Sequence, residues 1–315
     1  SAPSSLSMPS KAMVGAARAL PWGEAASIIM VSRSTRRVLL LRRGTTASFM
    51  PNALVFPGGV VHTQHEDRET AREAALRELF EETGLLCTKR GKLRTVEDPR
   101  TERWQNEVNE KGASKTKLKE FLASTNERLD VASLMPWSTW LTPNAGHYKR
   151  RYMTDFFVLP VDGEPQIRHC AREMAGAEWS DPSKVLAAAA AGAESVPPPQ
   201  QYELRRLREL DPASPALADN HIRKVLFPQL IRCEEREGEQ WLCNILPGDQ
   251  EYVSEPPGQF EQGTKKMKRE AMLNPDETKP LHRLTYLVAP LYSKCTITVK
   301  GVDPLDLEEP HVSRL

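Results

Sequence analysis

Apolar residues near the start of the chain fall in two short runs. Residues 26–31 and 37–41 each read as a β-strand, and Val38, Leu39, Leu40 and Leu41 are continuous, as in a strand covered on both faces. A third short strand is expected over 52–56, closed by Pro57-Gly58-Gly59. The period then changes. Thr70 and Glu73 are spaced as a capping box, Gly84 supplies a stop, and neither Pro nor Gly lies between, so a helix is expected there. Residues 89–131 are charged, helical in composition and poor in apolar positions, which reads as an inserted surface segment. The core pattern returns at 134–141. Strands are expected over 152–161 and 176–179, then a helix over 183–191 that ends near Gly192. Pro197-Pro198-Pro199 reads as a stiff connector, followed by amphipathic helices near 202–210 and 220–232. The last third mixes short strands, 241–246 and 295–300, with a loose polar stretch over 256–280. There is no internal repeat. The expected organisation is a flexible tail over 1–22, one α/β domain over 23–255 carrying the 89–131 insertion, and an extension over 256–315.

The first helix holds the chemistry. At about 100° per residue, Glu78, Glu81 and Glu82 fall on one face and Leu76, Leu79, Phe80 and Thr83 on the other. The apolar face is expected on a sheet and the acidic face outward. Three carboxylates within one turn repel one another. A hard divalent cation is their natural partner, and Mg2+ takes carboxylate and water oxygens together with substrate phosphates. A bound metal polarises phosphoryl oxygens and helps to generate hydroxide. Gly58 and Gly59 let the preceding backbone come close to such a centre. The same acids also fit a solvated helix face, so the flanking residues decide.

Those residues resemble the Nudix box: Gly, five residues, Glu, seven residues, then Arg-Glu-U-x-Glu-Glu-x-Gly-U, with U apolar. Here Glu69 is followed after seven residues by Arg77-Glu78-Leu79-Phe80-Glu81-Glu82-Thr83-Gly84-Leu85, and every fixed position after the opening glycine matches. Nine residues separate Gly59 from Glu69, four more than the pattern has. The resemblance implies an α/β/α sandwich with a mixed sheet. It implies that Glu78, Glu81 and Glu82 bind Mg2+ or Mn2+, and that one of them also acts as base. It further implies that Arg77 anchors the motif through Glu69, and that Gly59 offers its carbonyl to a metal.

Further stretches resemble one branch of that family, the nucleoside diphosphate-linked moiety X motif 19 proteins. They include Phe49-Met50-Pro51, Val55-Phe56-Pro57-Gly58-Gly59-Val60, Trp137-Ser138-Thr139-Trp140-Leu141-Thr142-Pro143, Pro197-Pro198-Pro199-Gln200 and Leu246-Pro247-Gly248-Asp249. That branch implies a peroxisomal coenzyme A and acyl-coenzyme A diphosphatase, giving 3′,5′-ADP and 4′-phosphopantetheine. The branch often carries a longer insertion inside the box, so the short one here is a departure. The terminal Ser313-Arg314-Leu315 resembles the Ser-Lys-Leu peroxisomal address, which makes the peroxisomal import receptor an expected partner.

Coenzyme A carries a 3′-phosphate beyond reach of a metal on the diphosphate, and arginine suits it. Arg42, Arg43, Lys149, Arg150 and Arg151 are the candidates, each equally readable as a solvated strand end. Trp140 and Trp137 fit either an adenine or acyl pocket, or core packing, and His147 lies in a basic loop as a candidate for catalysis. Other diphosphate substrates, such as ADP-ribose, NADH or a capped RNA end, share the same box, as does a non-catalytic binding module.

Composition narrows the classes further. The net charge of +1 argues against whole-molecule electrostatic binding of nucleic acid. No apolar run approaches the roughly 20 residues of a membrane span. The five cysteines are odd in number and none are spaced as C-x-x-C, which points to reduced thiols. The start of the chain is rich in Ser and Ala, with Lys11 and Arg18 but no acid before Glu24. It reads as a flexible tail, with a mitochondrial presequence as the alternative.

Overall fold

A computed structural model of the chain describes residues 22–47, 50–62, 68–90, 92–95, 99–109, 114–143, 150–235, 237–253 and 265–307. One large mixed sheet is built from seven strands: β1 (Trp22–Ser32), β2 (Val38–Arg43), β3 (Leu54–Val55), β4 (Gly58–Val60), then, after other elements, β7 (Met135–Leu141), β8 (Arg151–Val161) and β9 (Met174–Ser180). Its path is β3-β2-β1-β8-β7, with β4 added to β1 and β9 to β2. The β1–β8 pair is parallel and its neighbours are antiparallel.

Side chains alternate across this sheet as the pleat requires. Ala26, Ile28 and Met30 of β1 and Leu39 of β2 face helix α1 (Ala71–Thr83), which lays Ala74, Ala75, Leu76 and Leu79 on them. Ile29, Val31, Val38 and Leu40 face the other way. There they meet α4 (Pro182–Ala190) and α5 (Pro198–Arg208) through Val185, Ala189, Tyr202, Leu204 and Leu207. The expected α/β/α arrangement is therefore present. Helix α1 starts as its sequence requires: Thr70 accepts from the Glu73 amide while Glu73 bonds back to the Thr70 amide. Gly84 ends it in the left-handed region at φ 73°, which favours glycine.

The region after α1 is more than a surface insertion. It forms a hairpin, β5 (Leu86–Thr88) with β6 (Lys92–Arg94), and two helices, α2 (Pro99–Val108) and α3 (Ser114–Ser124). Its few apolar residues converge: Val108, Leu118 and Phe121 are buried against Phe80 and Leu86.

A second, five-stranded sheet follows, ordered β12-β10-β11-β13-β14. Its strands are β10 (Gln229–Cys233), β11 (Trp241–Ile245), β12 (Lys266–Met267), β13 (Leu281–Leu287) and β14 (Thr296–Lys300), with a short helix α6 (Arg269–Leu273). It begins at Gln229, ahead of the expected extension at 256, and Leu284, Tyr286 and Ile297 join the core beneath α4 and α5.

Two expectations are corrected. Pro197 caps α5, and Pro198 and Pro199 are its first residues, where a missing amide costs nothing, so the proline run is a helix start and not a connector. The helix expected over 220–232 is absent. Ile222, Leu226, Phe227, Leu230 and Ile231 have helical spacing, but Pro228 interrupts it. Leu226 bridges to Trp140, and the chain continues into β10. Among the described residues, no helix is long and apolar enough to cross a membrane.

Candidate active site

The centre of the site is Arg77, whose side chain is 3% exposed. Its Nε donates to Glu69 Oε1 at 2.8 Å and its Nη2 to Glu69 Oε2 at 3.2 Å, which is a fork-to-fork pair. Nη2 also reaches the Val60 carbonyl at 2.9 Å, and Nη1 reaches Glu78 Oε1 at 2.8 Å and Glu81 Oε1 at 3.0 Å. The longer loop between Gly59 and Glu69 leaves the pair intact, because Glu69 also takes the His62 amide. Burial opposes the Arg77 charge, yet Glu78, Glu69 and Glu81 outweigh it and hold its pKa above the usual value.

The acidic face of α1 does not point outward as expected. It is covered by β4, which pairs with β1 through Gly58 and Gly59. Glu82 is 4% exposed and accepts the Gly58 amide at 3.0 Å. Gly59 lies so close to Glu78 that a Cβ there would stand 2.2 Å from its Oε1, so any larger residue would displace the Glu78 carboxylate. Burial pushes the Glu78 carboxyl up to about 7, with Arg77 opposing the rise and Glu81 adding to it. Burial and the nearby Glu78 likewise push Glu82 up, while the Gly58 amide and Arg43 pull it down.

A hard divalent cation fits this donor set, which offers carboxylate oxygens, a glycine cradle and an excess of buried negative charge. Among the described residues, no group of three or more His, Cys, Asp or Glu side chains is disposed to hold a metal ion by itself. Mg2+ does not need one, since it keeps several waters and is completed by substrate phosphates.

The fold thus gathers Gly59, Glu69, Arg77, Glu78, Glu81 and Glu82. The two arginines of β2 separate by strand alternation. Arg43 is on the α1 side, and its charge acts on Glu82. Arg42 is on the other side and forms a bidentate pair with Glu194, both bonds at 2.8 Å. Arg151, expected at the substrate, is 1% exposed, donates through Nε to the Thr142 carbonyl and lies over the Trp22 and Phe227 rings. Arg150 is exposed. Trp140, expected at the substrate, is buried, and its Nε1 donates to Glu203 at 2.8 Å. Glu203 also takes Trp137 Nε1, Ser138 Oγ and Arg206 Nη1, each at 2.7 Å. A paired indole pocket was the other choice, but this buried carboxylate claims both rings. Lys149, His147 and Ser313-Arg314-Leu315 lie outside the described residues.

One carboxylate was missed. Glu173 is exposed and near enough to Glu78 and Glu82 to raise both. It stands in an irregular turn before β9, far along the chain from the box, and no spacing in the sequence marks it.

The comparisons with known proteins bear on the family and the fold. Residues 66–207 match the family described as NUDT19 Nudix domain. Putative nudix hydrolase 7 of Caenorhabditis elegans is 37% identical over 298 residues, covering 92% of this chain and 94% of that protein. Acyl-coenzyme A diphosphatase NUDT19 of Xenopus laevis is 24% identical and covers 75% of this chain and 82% of its own; the Homo sapiens protein of the same name is 25% identical, covering 74% and 81%. A crystal structure of a Nudix hydrolase from Alicyclobacillus acidocaldarius superposes with a TM-score of 0.52 at 21% identity, over 63% of this chain and 96% of that one, which speaks for the fold. With a relative matched along almost its whole length, and with a box helix bound to Glu69 through Arg77, the chain belongs to the Nudix hydrolase family of diphosphate-cleaving enzymes.

Proposed function

We propose that the chain uses Mg2+ or Mn2+ to hydrolyse the diphosphate linkage of coenzyme A and acyl-coenzyme A. The products would be 3′,5′-ADP and 4′-phosphopantetheine or its acyl form. The observation that carries this reading is the convergence of Glu78 and Glu82 on the Gly58-Gly59 backbone. Relatives named acyl-coenzyme A diphosphatase supply the substrate class. Glu78, Glu81, Glu82 and the Gly59 carbonyl hold the cation. When bound, it polarises the phosphoryl oxygens and lowers the pKa of its water.

The chain itself supplies position and a proton acceptor. Arg77 fixes the helix to Glu69 and to the Val60 carbonyl, so the carboxylates face β4 at a set depth. One of the box glutamates takes the proton of the attacking water. The water oxygen bonds to one phosphorus, the bridging P–O bond breaks, and the bridging oxygen leaves with the other phosphate. Substrate choice falls to cations other than the metal. Arg43, on the carboxylate side, and exposed Arg150 are the arginines assigned to the 3′-phosphate in this reading. Arg42 is engaged with Glu194 and Arg151 is buried.

Mass spectrometry of products tests this, with coenzyme A, dephospho-coenzyme A, NADH and ADP-ribose run in parallel with Mg2+. The expected result is 3′,5′-ADP from coenzyme A, formed faster than AMP from dephospho-coenzyme A. Equal handling of the two, or preference for ADP-ribose, would reduce the enzyme to a general nucleotide diphosphatase. Work in peroxisomes is part of the same proposal, with the mitochondrion as the alternative; imaging the chain with and without residues 313–315 separates them.

A further inference from the structure

The last turn of α1 carries Glu81 and Glu82, and a helix end leaves its final carbonyls without intrahelical partners. Here those carbonyls are taken up from outside. The Phe80 carbonyl accepts from the Gly84 amide at 2.9 Å, which is the ordinary C-cap. The Glu82 carbonyl accepts from the Cys170 amide at 3.0 Å and the Thr83 carbonyl from the Arg168 amide at 2.9 Å. The Glu81 carbonyl accepts from two side chains associated with α2: Asn109 Nδ2 at 2.9 Å and Gln105 Nε2 at 3.3 Å.

The two sets of donors are tied to each other. Gln105 Nε2 also donates to the Arg168 carbonyl at 2.9 Å, and Arg168 Nη2 donates to Asn106 Oδ1 at 2.9 Å. Arg172 donates to the Asn109 carbonyl. The same stretch ends in Glu173, whose amide bonds to the Cys170 carbonyl at 3.1 Å and whose carbonyl takes the Gly44 amide at 2.9 Å, next to Arg43. A continuous line of hydrogen bonds thus runs from α2 through the turn of α1 to the segment bearing Glu173. Gln105 is 2% exposed, so its bonds are shielded from competing water.

We propose that Gln105 and Asn109 are positioning residues for the metal-binding carboxylates, and that the α2 insertion is a brace on the last turn of α1. This rests on the proposed role of Glu78, Glu81 and Glu82. Without the brace, the Glu81 carbonyl loses both donors, leaving the Gly84, Cys170 and Arg168 amides to hold the turn. Glu78 repels both Glu81 and Glu82, and the Arg77 and Gly58 bonds are then left to hold the converging geometry without support from the backbone of the turn. Outer partners that orient ligand residues are worth roughly 10–100-fold in metal affinity or activity.

The test is Mn2+ binding to the full chain, read as the free Mn2+ signal in electron paramagnetic resonance, with no substrate present. Gln105→Met and Asn109→Leu each remove the donor and keep most of the bulk; Arg103→Ala, on the exposed face of α2, is the control. The expected result is a loss of affinity on the order of 10-fold in the double variant, a smaller loss in each single variant, and none in the control. At saturating metal, KM should stay at the wild-type value while kcat falls. Folded variants, by near-ultraviolet circular dichroism, that bind Mn2+ as the wild type does would overturn the brace. If the double variant does not fold, the single variants decide on the same criterion. Failure of the wild type to bind Mn2+ would overturn both this and the metal site, whereas Mn2+ binding without coenzyme A cleavage would overturn only the substrate.

Discussion

Buried charge on the two sides of the large sheet is handled in opposite ways. Beneath α5, Glu203 is met by Arg206 and three neutral donors, and further on Asp249 is met by Arg283 with bonds of 2.6 and 2.7 Å. Each carboxylate there has its own guanidinium. On the α1 side, one guanidinium serves Glu69, Glu78 and Glu81, with Glu82 alongside. Charge that closes on itself ties α5 to β7 and the turn after β11 to β13. Charge left in excess carries a repulsion that Arg77, Arg43 and the Gly58 amide offset only in part, and that is the condition a cation relieves. The number of buried ion pairs therefore says little about function, while the imbalance among them says a good deal.

The sharpest way to break that contrast is to remove one cation or anion from each side. Arg77→Ala should cost about 3–5 kcal/mol in denaturant unfolding, because it strands buried carboxylates, and activity should fall with it. Glu203→Ala should cost about as much by stranding Arg206 and the two indoles, yet the folded fraction should keep near-normal turnover per molecule. Equal loss of specific activity in both would dissolve the distinction between architecture and site.

Next comes Glu82→Gln. Turnover with Mg2+ should drop by at least about 100-fold, the upper end of what disturbing a ligand's surroundings causes. In the metal-free protein its melting temperature should hold or rise, since a buried charge that burial and Glu78 both penalise has been removed. A fall in melting temperature would mean that Glu82 is paired for stability as Glu203 is.

A smaller effect sharpens the reading of β2. Arg43→Ala should reduce turnover of coenzyme A relative to dephospho-coenzyme A by about ten- to a hundredfold, the worth of one charge-assisted hydrogen bond of roughly 1.5–3 kcal/mol. Arg42→Ala should instead lower stability through Glu194 and leave that ratio alone. Parallel kinetics on the two substrates separate these outcomes.

Local signals were legible wherever one element carried them. Thr70, Glu73 and Gly84 bound α1 in the sequence as they do in the structure, and the apolar runs located β1, β2, β7 and β8. The box residues were legible because helical periodicity and spacing both bear on the same turn. What failed was whatever depends on a partner distant in the chain. The outward acidic face became a covered one because β4 folds over it. Trp140 became a core residue because Glu203, on α5, accepts a hydrogen bond from its indole. Arg42 and Arg43 looked equivalent, although a period of two already set them on opposite faces. Glu173, Gln105 and Asn109 act on the box only through tertiary contact, and no pattern within their own segments reveals it.

Thermal unfolding of the metal-stripped chain with and without Mg2+ tests the central claim most directly, that the excess charge on α1 is a cation site. A ligand at 100 times its Kd stabilises a folded protein by about 2.7 kcal/mol. Saturating Mg2+ should raise the melting temperature of the wild type and of Glu203→Gln alike, and should leave Glu82→Gln where it was. Mg2+ that fails to move the wild type, or that raises Glu82→Gln just as far, would contradict it.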